Sequence, residues 1–123
     1  MDKLGFIDKQ MTVLSVPYEF GEWTQDSQYP YSVGELLNPE DVDTENGKET
    51  STLIITVFHR GKKIALEEIK EKIKKHFYHG VREMIDNNAI VVSWGGAMYI
   101  PSGEAELQKL QINLNITEWK VYI

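Results

Sequence analysis

The two-residue alternation between residues 110 and 117 constrains the fold more than any other feature of the chain. Successive side chains of a β-strand point to opposite faces of its sheet, so this segment predicts a strand with one apolar and one polar face. The apolar face requires a covering layer, which the rest of the chain must supply. Four aliphatic residues alternate here with four polar ones: Leu110, Gln111, Ile112, Asn113, Leu114, Asn115, Ile116 and Thr117.

Residues 62–79 predict a helix that can form this layer, because apolar residues recur there at every fourth position. Gly80 stands where a helix C-terminal cap is expected, since glycine adopts the left-handed conformation without steric cost. We therefore expect the apolar stripe of the helix to pack against the last strand. The stripe consists of Ala65, Ile69, Ile73 and Phe77, with Leu66 and His76 beside it.

Shorter segments before this helix indicate further elements. Residues 1–16 fit a short helix that passes into an extended segment, and residues 18–23 fit a short strand. A second strand runs to Leu37, and Pro30 near its start favours an edge or a strand beginning. The β-branched and aromatic run 53–58 predicts a central strand that is covered on both faces.

After the helix, residues 81–88 are interpreted as a further short turn of helix. Gly95 and Gly96 are interpreted as a hairpin turn between strands at 89–94 and 97–100. The predicted order is two or three strands, a helix and a three-stranded meander. The predicted fold class is therefore α+β, with a mostly antiparallel sheet and one main amphipathic helix packed on one face. A length of 123 residues fits a single domain.

Residues 38–50 interrupt this pattern with five acidic residues and only one apolar residue. Such a segment cannot join a core, so we expect a mobile acidic loop at about 38–50. Long loops of this kind are usually functional or disordered. The acidic residues proposed to contact a partner are Glu40, Asp41, Asp43 and Glu45; an inert surface insertion is the alternative.

Charge is distributed unevenly along the chain. Residues 1–50 contain eleven acidic residues and three lysines, a net charge of −8, whereas residues 59–83 contain eight Lys or Arg and four Glu, a net charge of +4. Opposite charges on two faces of a subunit can set the register between copies, although a solvated helix face also explains the lysines. The candidate interface residues are Glu19, Glu22, Trp23, Tyr29, Glu35, Lys70, Lys74, Lys75 and Trp119.

Composition excludes several kinds of chemistry. The chain contains no cysteine, so it has no disulfide, thiol nucleophile or cysteine-ligated metal. A net charge of −6 disfavours binding to nucleic acid or an anionic membrane. The chain has no apolar run long enough to span a bilayer, so we expect a soluble, cytoplasmic protein.

No catalytic residue is assigned from the sequence. His76, His79 and Glu83 have the spacing of metal ligands on one continuous helix, but Gly80 is expected to end the helix between them. We therefore expect no metal site. The histidines are interpreted instead as one partly buried side chain and one exposed side chain.

The order of elements resembles the tail terminator, or tail-to-head joining, proteins of long-tailed bacteriophages and their prophages. The resemblance spans nearly the whole chain and rests on pattern and length. It is carried by the segments Tyr29-Pro-Tyr-Ser-Val-Gly-Glu35, the acidic loop 38–50, Thr52-Leu-Ile-Ile-Thr-Val-Phe58, the helix at 62–79 and the last strand, Leu107-Gln-Lys-Leu-Gln-Ile-Asn-Leu-Asn-Ile116.

This resemblance implies a small α+β subunit that forms a ring, typically a hexamer, on the end of the tail tube. The ring would stop tube polymerisation and join the tail to the head connector. The implied partners are other copies of the chain, the tail-tube protein and a head-completion protein, in the host cytoplasm during assembly and then in the virion tail or neck. The resemblance implies no enzymatic activity, no cofactor, no sequence-specific nucleic acid and no membrane partner.

Two other functions remain open at this stage. One is a monomeric protein-binding module that adds a peptide strand to the edge of its sheet. The other, ranked lowest, is a small enzyme that uses His59, His76 or His79.

Overall fold

The computed structural model describes residues 2–25, 28–37, 48–85, 87–104 and 106–119. The described residues form a six-stranded sheet with the strand order β1-β2-β3-β6-β5-β4. All neighbouring strands are antiparallel except β1 and β2, so the predicted α+β class is confirmed. The elements are α1 (Lys3–Val13), β1 (Tyr18–Phe20), β2 (Tyr31–Leu37), β3 (Lys48–Arg60), α2 (Ile64–Phe77), β4 (Val81–Ile85), β5 (Asn88–Ile100) and β6 (Leu107–Trp119).

The core lies between one face of the sheet and the helices. The apolar face of β6 is fully buried, and Ile112 belongs to the same buried cluster as Ile73 of α2. This confirms the packing predicted from the two periodicities. Leu66 completes the buried stripe of α2, whereas Ala65 is only half-buried.

A second helix, α1, supplies an important part of this core, so the expectation of one main helix is too simple. Phe6, Ile7 and Met11 are at most 1% exposed. The side chain of Asp2 accepts a hydrogen bond from the Gly5 amide at 2.9 Å and caps the start of α1. No helix of the described residues is long and apolar enough to cross a membrane.

The segment after α2 differs from the prediction. Residues 81–85 form the edge strand β4 rather than a turn of helix. Gly80 has a φ of +87° and ends the helix, after which Val81 and Ile85 turn toward the core while Met84 is 65% exposed. The segment is too short for apolar spacing alone to distinguish a strand from a helical turn.

The predicted hairpin at Gly95 and Gly96 is also wrong, because β5 continues through both glycines. The pairing of β5 with β6 shifts between Trp94 and Gly96, which marks a bulge in one long strand. A side chain at residue 95 would lie 2.9 Å from the Asn113 carbonyl oxygen. Glycine therefore permits close approach of two strands here rather than a chain reversal.

β3 is a central strand, as predicted, but only one of its faces is covered by helices. Leu53, Ile55 and Val57 are fully buried, whereas the alternate residues between 54 and 58 are half-buried. β3 also begins earlier than expected, so residues 48–50 of the predicted acidic loop belong to a strand. Residues 38–47, with Glu40, Asp41, Asp43 and Glu45, lie outside the described residues.

We predict that Ile112→Ala or Ile73→Ala lowers the free energy of unfolding by ~2–5 kcal/mol, because each change removes a buried side chain and leaves a cavity. The matched control is Ile64→Ala, since Ile64 lies on the same helix but is 64% exposed. Urea unfolding measures all three variants. A loss below about 1 kcal/mol at both buried positions would contradict the described core.

Candidate functional site

The face of the sheet opposite the helices is the candidate functional surface, and we call it the open face. Register places Glu35 beside Ile54, which alternates with buried Leu53 and Ile55, so Glu35 lies on this face. The polar side chains of β6 also lie on it, and Gln111 donates a hydrogen bond to Asn113 at 3.2 Å. The open face therefore combines carboxylate, amide and aromatic groups.

An aromatic cluster, formed by Trp23, Tyr29, Tyr31 and Phe58, crosses one side of the open face. Tyr31 stacks between Trp23 and Phe58, with ring centroids 4.9 Å and 5.0 Å from its own. Tyr29 tilts against Tyr31 at 5.5 Å. Because these rings come from β2, β3 and the segments that precede β2, the cluster fixes the geometry of this side of the sheet.

Two cations lie against the outer members of this cluster. The Lys109 ammonium is 5.6 Å from the centre of the Phe58 ring. The Arg60 guanidinium lies 5.7 Å from the centre of the Tyr29 ring and forms an ion pair with Glu104 at 2.9 Å. The cluster already binds cations in this arrangement, as expected for electron-rich ring faces.

A groove of about 330 Å³ runs beside the cluster and has Glu35 in its wall. Val33 and Thr56 also line it, so the groove offers apolar surface next to a carboxylate. Glu35 is exposed and has no ion-pair or hydrogen-bond partner among the described residues. The groove therefore presents a negative charge that no described residue pairs with.

Glu19, another predicted interface residue, is bound within its own subunit. Its carboxylate accepts hydrogen bonds from the Thr24 hydroxyl at 2.6 Å and the Thr24 amide at 2.8 Å. The hydroxyl bond, followed by the amide bond, holds the pKa of Glu19 below its usual value. Glu19 thus closes the turn after β1, whereas Glu22 in that turn is exposed.

The three predicted lysines lie on α2, on the other side of the sheet from Glu35. Lys70 is engaged there, because its ammonium lies 2.9 Å from the Glu67 carboxylate. Lys74 follows one turn later on the same flank, and Lys75 points about 100° further round the helix. Lys74 and Lys75 have no ion-pair partner within the described part of the chain.

Glu67 joins α2 to β5 as well as to Lys70. Tyr99 donates a hydrogen bond to its carboxylate, and the Lys63 ammonium lies 4.7 Å from the centre of the Tyr99 ring. Burial, followed by this hydrogen bond, raises the pKa of Tyr99 to about 12. The hydrogen bond from Lys70 and then that from Tyr99 lower the pKa of Glu67. This group fixes α2 against β5 and explains why Lys70 is not free.

Trp119 lies at the far side of the open face from the aromatic cluster. It is opposite Ala89 in the sheet, and Ala89 is opposite Met84 of β4. Trp119 and Met84 line a hollow of about 560 Å³ and are 41% and 65% exposed. The open face therefore has an aromatic patch at one side and an apolar patch at the other.

The sequence identified Trp23, Tyr29 and Trp119 as candidate contact residues but missed Tyr31, Phe58 and Met84. Tyr31 and Phe58 are directly opposite each other in the β2–β3 pairing. That the two rings are neighbours follows from the register of the strands, and the register cannot be derived from each segment of the sequence taken by itself. Met84 lies on β4, in the segment that the sequence analysis interprets as a turn of helix.

The positions of the two histidines and Glu83 in the fold decide whether they can bind a metal ion together. His76 lies on α2 with its Nε2 atom 2.8 Å from the Gln10 side-chain oxygen, so it links the two helices. His79 follows the helix and Glu83 lies on β4, so the three candidate ligands do not share a helix face. Among the described residues, no group of three or more His, Asp or Glu side chains is arranged to hold a metal ion.

Comparison with known proteins bears on the fold alone. No protein-family model matches the chain, and no curated protein matches it in sequence. A solved structure that has no descriptive name matches with a TM-score of 0.68 and 10% identity, covering 94% of this chain and 88% of the other. The chain is similar in fold to that protein over nearly its whole length.

We predict that Thr24→Ala raises the pKa of Glu19 toward the usual carboxyl range, as measured by NMR titration. Because the pKa is lowered in the folded protein, the bonds to Thr24 add stability above the usual carboxyl pKa and lose it as the pH falls through the folded value. Thr12→Ala, whose hydroxyl bonds the Asp8 carbonyl instead, is the matched control. An unchanged Glu19 titration in Thr24→Ala would rule out this account of the turn.

Proposed function

We propose that this protein is a structural subunit of a phage or prophage tail that forms a ring, ends the tail tube and joins it to the head connector. The observation that carries the proposal is that charged side chains with no partner among the described residues lie on opposite faces of the sheet, the acid on one face and the lysines on the other. Glu35 is on the open face, whereas Lys74 and Lys75 are on the helix that covers the opposite face. Together with the resemblance in element order, this separation favours assembly over catalysis.

Two different patches on one subunit produce a heterologous, head-to-tail contact between copies. Such a contact closes into a ring when the rotation between neighbours divides a full turn evenly. A two-fold dimer pairs residue i with residue j and j with i within one surface, so acids and lysines on opposite faces of the sheet cannot meet in such a contact. The charge arrangement therefore supports a ring that is built from copies of the chain.

Charge alone does not supply enough binding energy for a ring. Exposed ion pairs contribute only ~0–1 kcal/mol each, so apolar contacts must supply most of the affinity. The aromatic cluster and the patch of Trp119 and Met84 are available for this on the open face. In this proposal the apolar side chains hold the ring together and the charges set its register.

The remaining expectations belong to the same proposal. The protein acts in the host cytoplasm during assembly and then in the virion tail or neck. Its partners are the tail-tube protein and a head-completion protein. It binds no cofactor, no specific nucleic-acid sequence and no membrane. It has no enzymatic activity, and the fold is a single domain.

A monomeric protein-binding module is the second candidate, and the position of β4 favours it. β4 is one of the two edge strands of the described sheet, and its exposed Met84 lies beside an apolar hollow. An edge strand presents unpaired backbone groups to which a peptide strand can add. Such a module binds its peptide as a monomer and does not cap tubes.

We predict that the purified protein, mixed with the tube protein encoded beside it, stops tube growth and leaves a ring on the tube end. Electron microscopy measures the tube length and end structure, and sedimentation measures the mass of the free protein. Tubes grown without it should be longer and uncapped. Unchanged tube length together with a constant mass of 14.2 kDa would contradict the proposal and favour the binding module.

The acidic segment provides a second test of the proposed function. Deleting residues 40–45 should leave the urea unfolding midpoint nearly unchanged, because the segment has one apolar residue. The deletion should nevertheless abolish tail completion or head joining in a complementation assay. A variant that replaces the four acids by their amides separates the effect of charge from that of length. Normal virion yield from the deletion would show that the segment is inert.

A further inference from the structure

The charged residues suggested by the sequence are not equally available for contact with another molecule. Glu19 is held by Thr24 and Lys70 is held by Glu67. Glu22, Glu35, Lys74 and Lys75 have no such partner among the described residues. Of the two acidic residues, Glu35 lines the groove of about 330 Å³, and Glu22 is not among the residues that line it. The structure therefore narrows the contact to one acid and the last turn of one helix.

We infer that the groove at Glu35 is a docking site for a second copy of this chain and receives Lys74 and Lys75 from its helix α2. The occupant is identified by charge complementarity between the groove and that helix end. This inference rests on the proposed ring and specifies which surfaces meet in it.

The groove matches both the aliphatic stem and the ammonium group of a lysine side chain. Lysine buries its aliphatic stem on apolar surface while its ammonium stays at a polar site. Val33 and the edges of the aromatic cluster provide the apolar surface, and the Glu35 carboxylate provides the polar end.

The same subunit cannot fill its own groove. Glu35 lies on the open face, while α2 packs on the other face of the same sheet with Leu66, Ile69 and Ile73 buried against it. The sheet therefore separates the lysines from the groove within one copy. Each subunit then offers one groove and one helix end, which is the arrangement that a closed ring needs.

The chain contains no cysteine, which permits a direct test by cysteine cross-linking. A disulfide is too short for this test, because it requires Cα atoms within about 7 Å, whereas an extended lysine in contact with a glutamate holds the two Cα atoms further apart. A full-length variant carrying Glu35→Cys and Lys74→Cys should instead form linked multimers when the tube-bound ring is treated with a bis-methanethiosulfonate linker as long as the Glu–Lys pair, and these multimers should be lost on reduction. The matched control carries Glu35→Cys and Lys62→Cys, because Lys62 is an exposed lysine just before α2. The control should give at least roughly tenfold less linked product, since about three helical turns separate Lys62 from Lys74.

Charge reversal provides an independent readout in protein without cysteine. Glu35→Lys should weaken ring formation by roughly tenfold or more, and so should the pair Lys74→Glu and Lys75→Glu. Combining both reversals should restore most of the association, while Lys62→Glu alone should have little effect, because Lys62 is exposed just before α2, about three turns from Lys74. Circular dichroism and urea unfolding check that each variant is folded, and the cross-linking experiment decides the matter if a reversal variant is not.

The outcomes separate this inference from the proposed function. The inference alone is overturned if the wild-type ring forms normally, the variant with Glu35→Cys and Lys74→Cys gives no linked product above its control, and both charge-reversal variants still form rings. A wild-type protein that remains a monomer both alone and with the tube protein overturns the proposed function and the inference together. Cross-linking with rescue by the combined reversal supports the inference.

Discussion

The structure depends on the burial of the apolar face of the β3–β6 pair beneath two helices. Ile55 and Ile112 are opposite each other in the register, and both are fully buried. A one-residue slip would turn every side chain of either strand to the other face, so this burial fixes the register of the sheet centre. Strands β2 and β5 then add to the two sides of an already defined pair.

Covering only one face of the sheet leaves the opposite face available for contact. Tyr31, Phe58 and the amides of β6 lie on that face because they occupy the alternate positions of the same strands that build the core. Hydrogen bonds to the charged groups then decide which of them are available. Glu19 stabilises a turn and Lys70 stabilises the packing of α2, whereas Glu35 on the open face has no partner in the part of the chain that the structure describes. The proposed contact surface is therefore a consequence of how the core is built.

Stability and assembly thus use different sides of the same strands. A substitution at Ile112 acts on the core, whereas a substitution at Glu35 on the open face leaves the core contacts intact. The bonds from Tyr99 and Lys70 to Glu67 serve both stability and assembly. They hold α2 in place and thereby orient the later lysines of the helix. This division allows folding and association to be measured separately.

The sequence by itself determined the elements with a long, regular apolar period, namely α2 and β6, because a side-chain period of 3.6 or 2 residues is a local property of the chain. It also determined the class of the fold and the uneven charge. Tertiary structure alone decided that 81–85 is a strand and that β5 continues through Gly95, since short segments take the conformation that their pairing partners favour. Pairing likewise brought Tyr31 to Phe58, because the two residues are far apart in the chain. Side-chain geometry decided that Glu19 and Lys70 are engaged within the subunit and that Glu35 has no partner among the described residues.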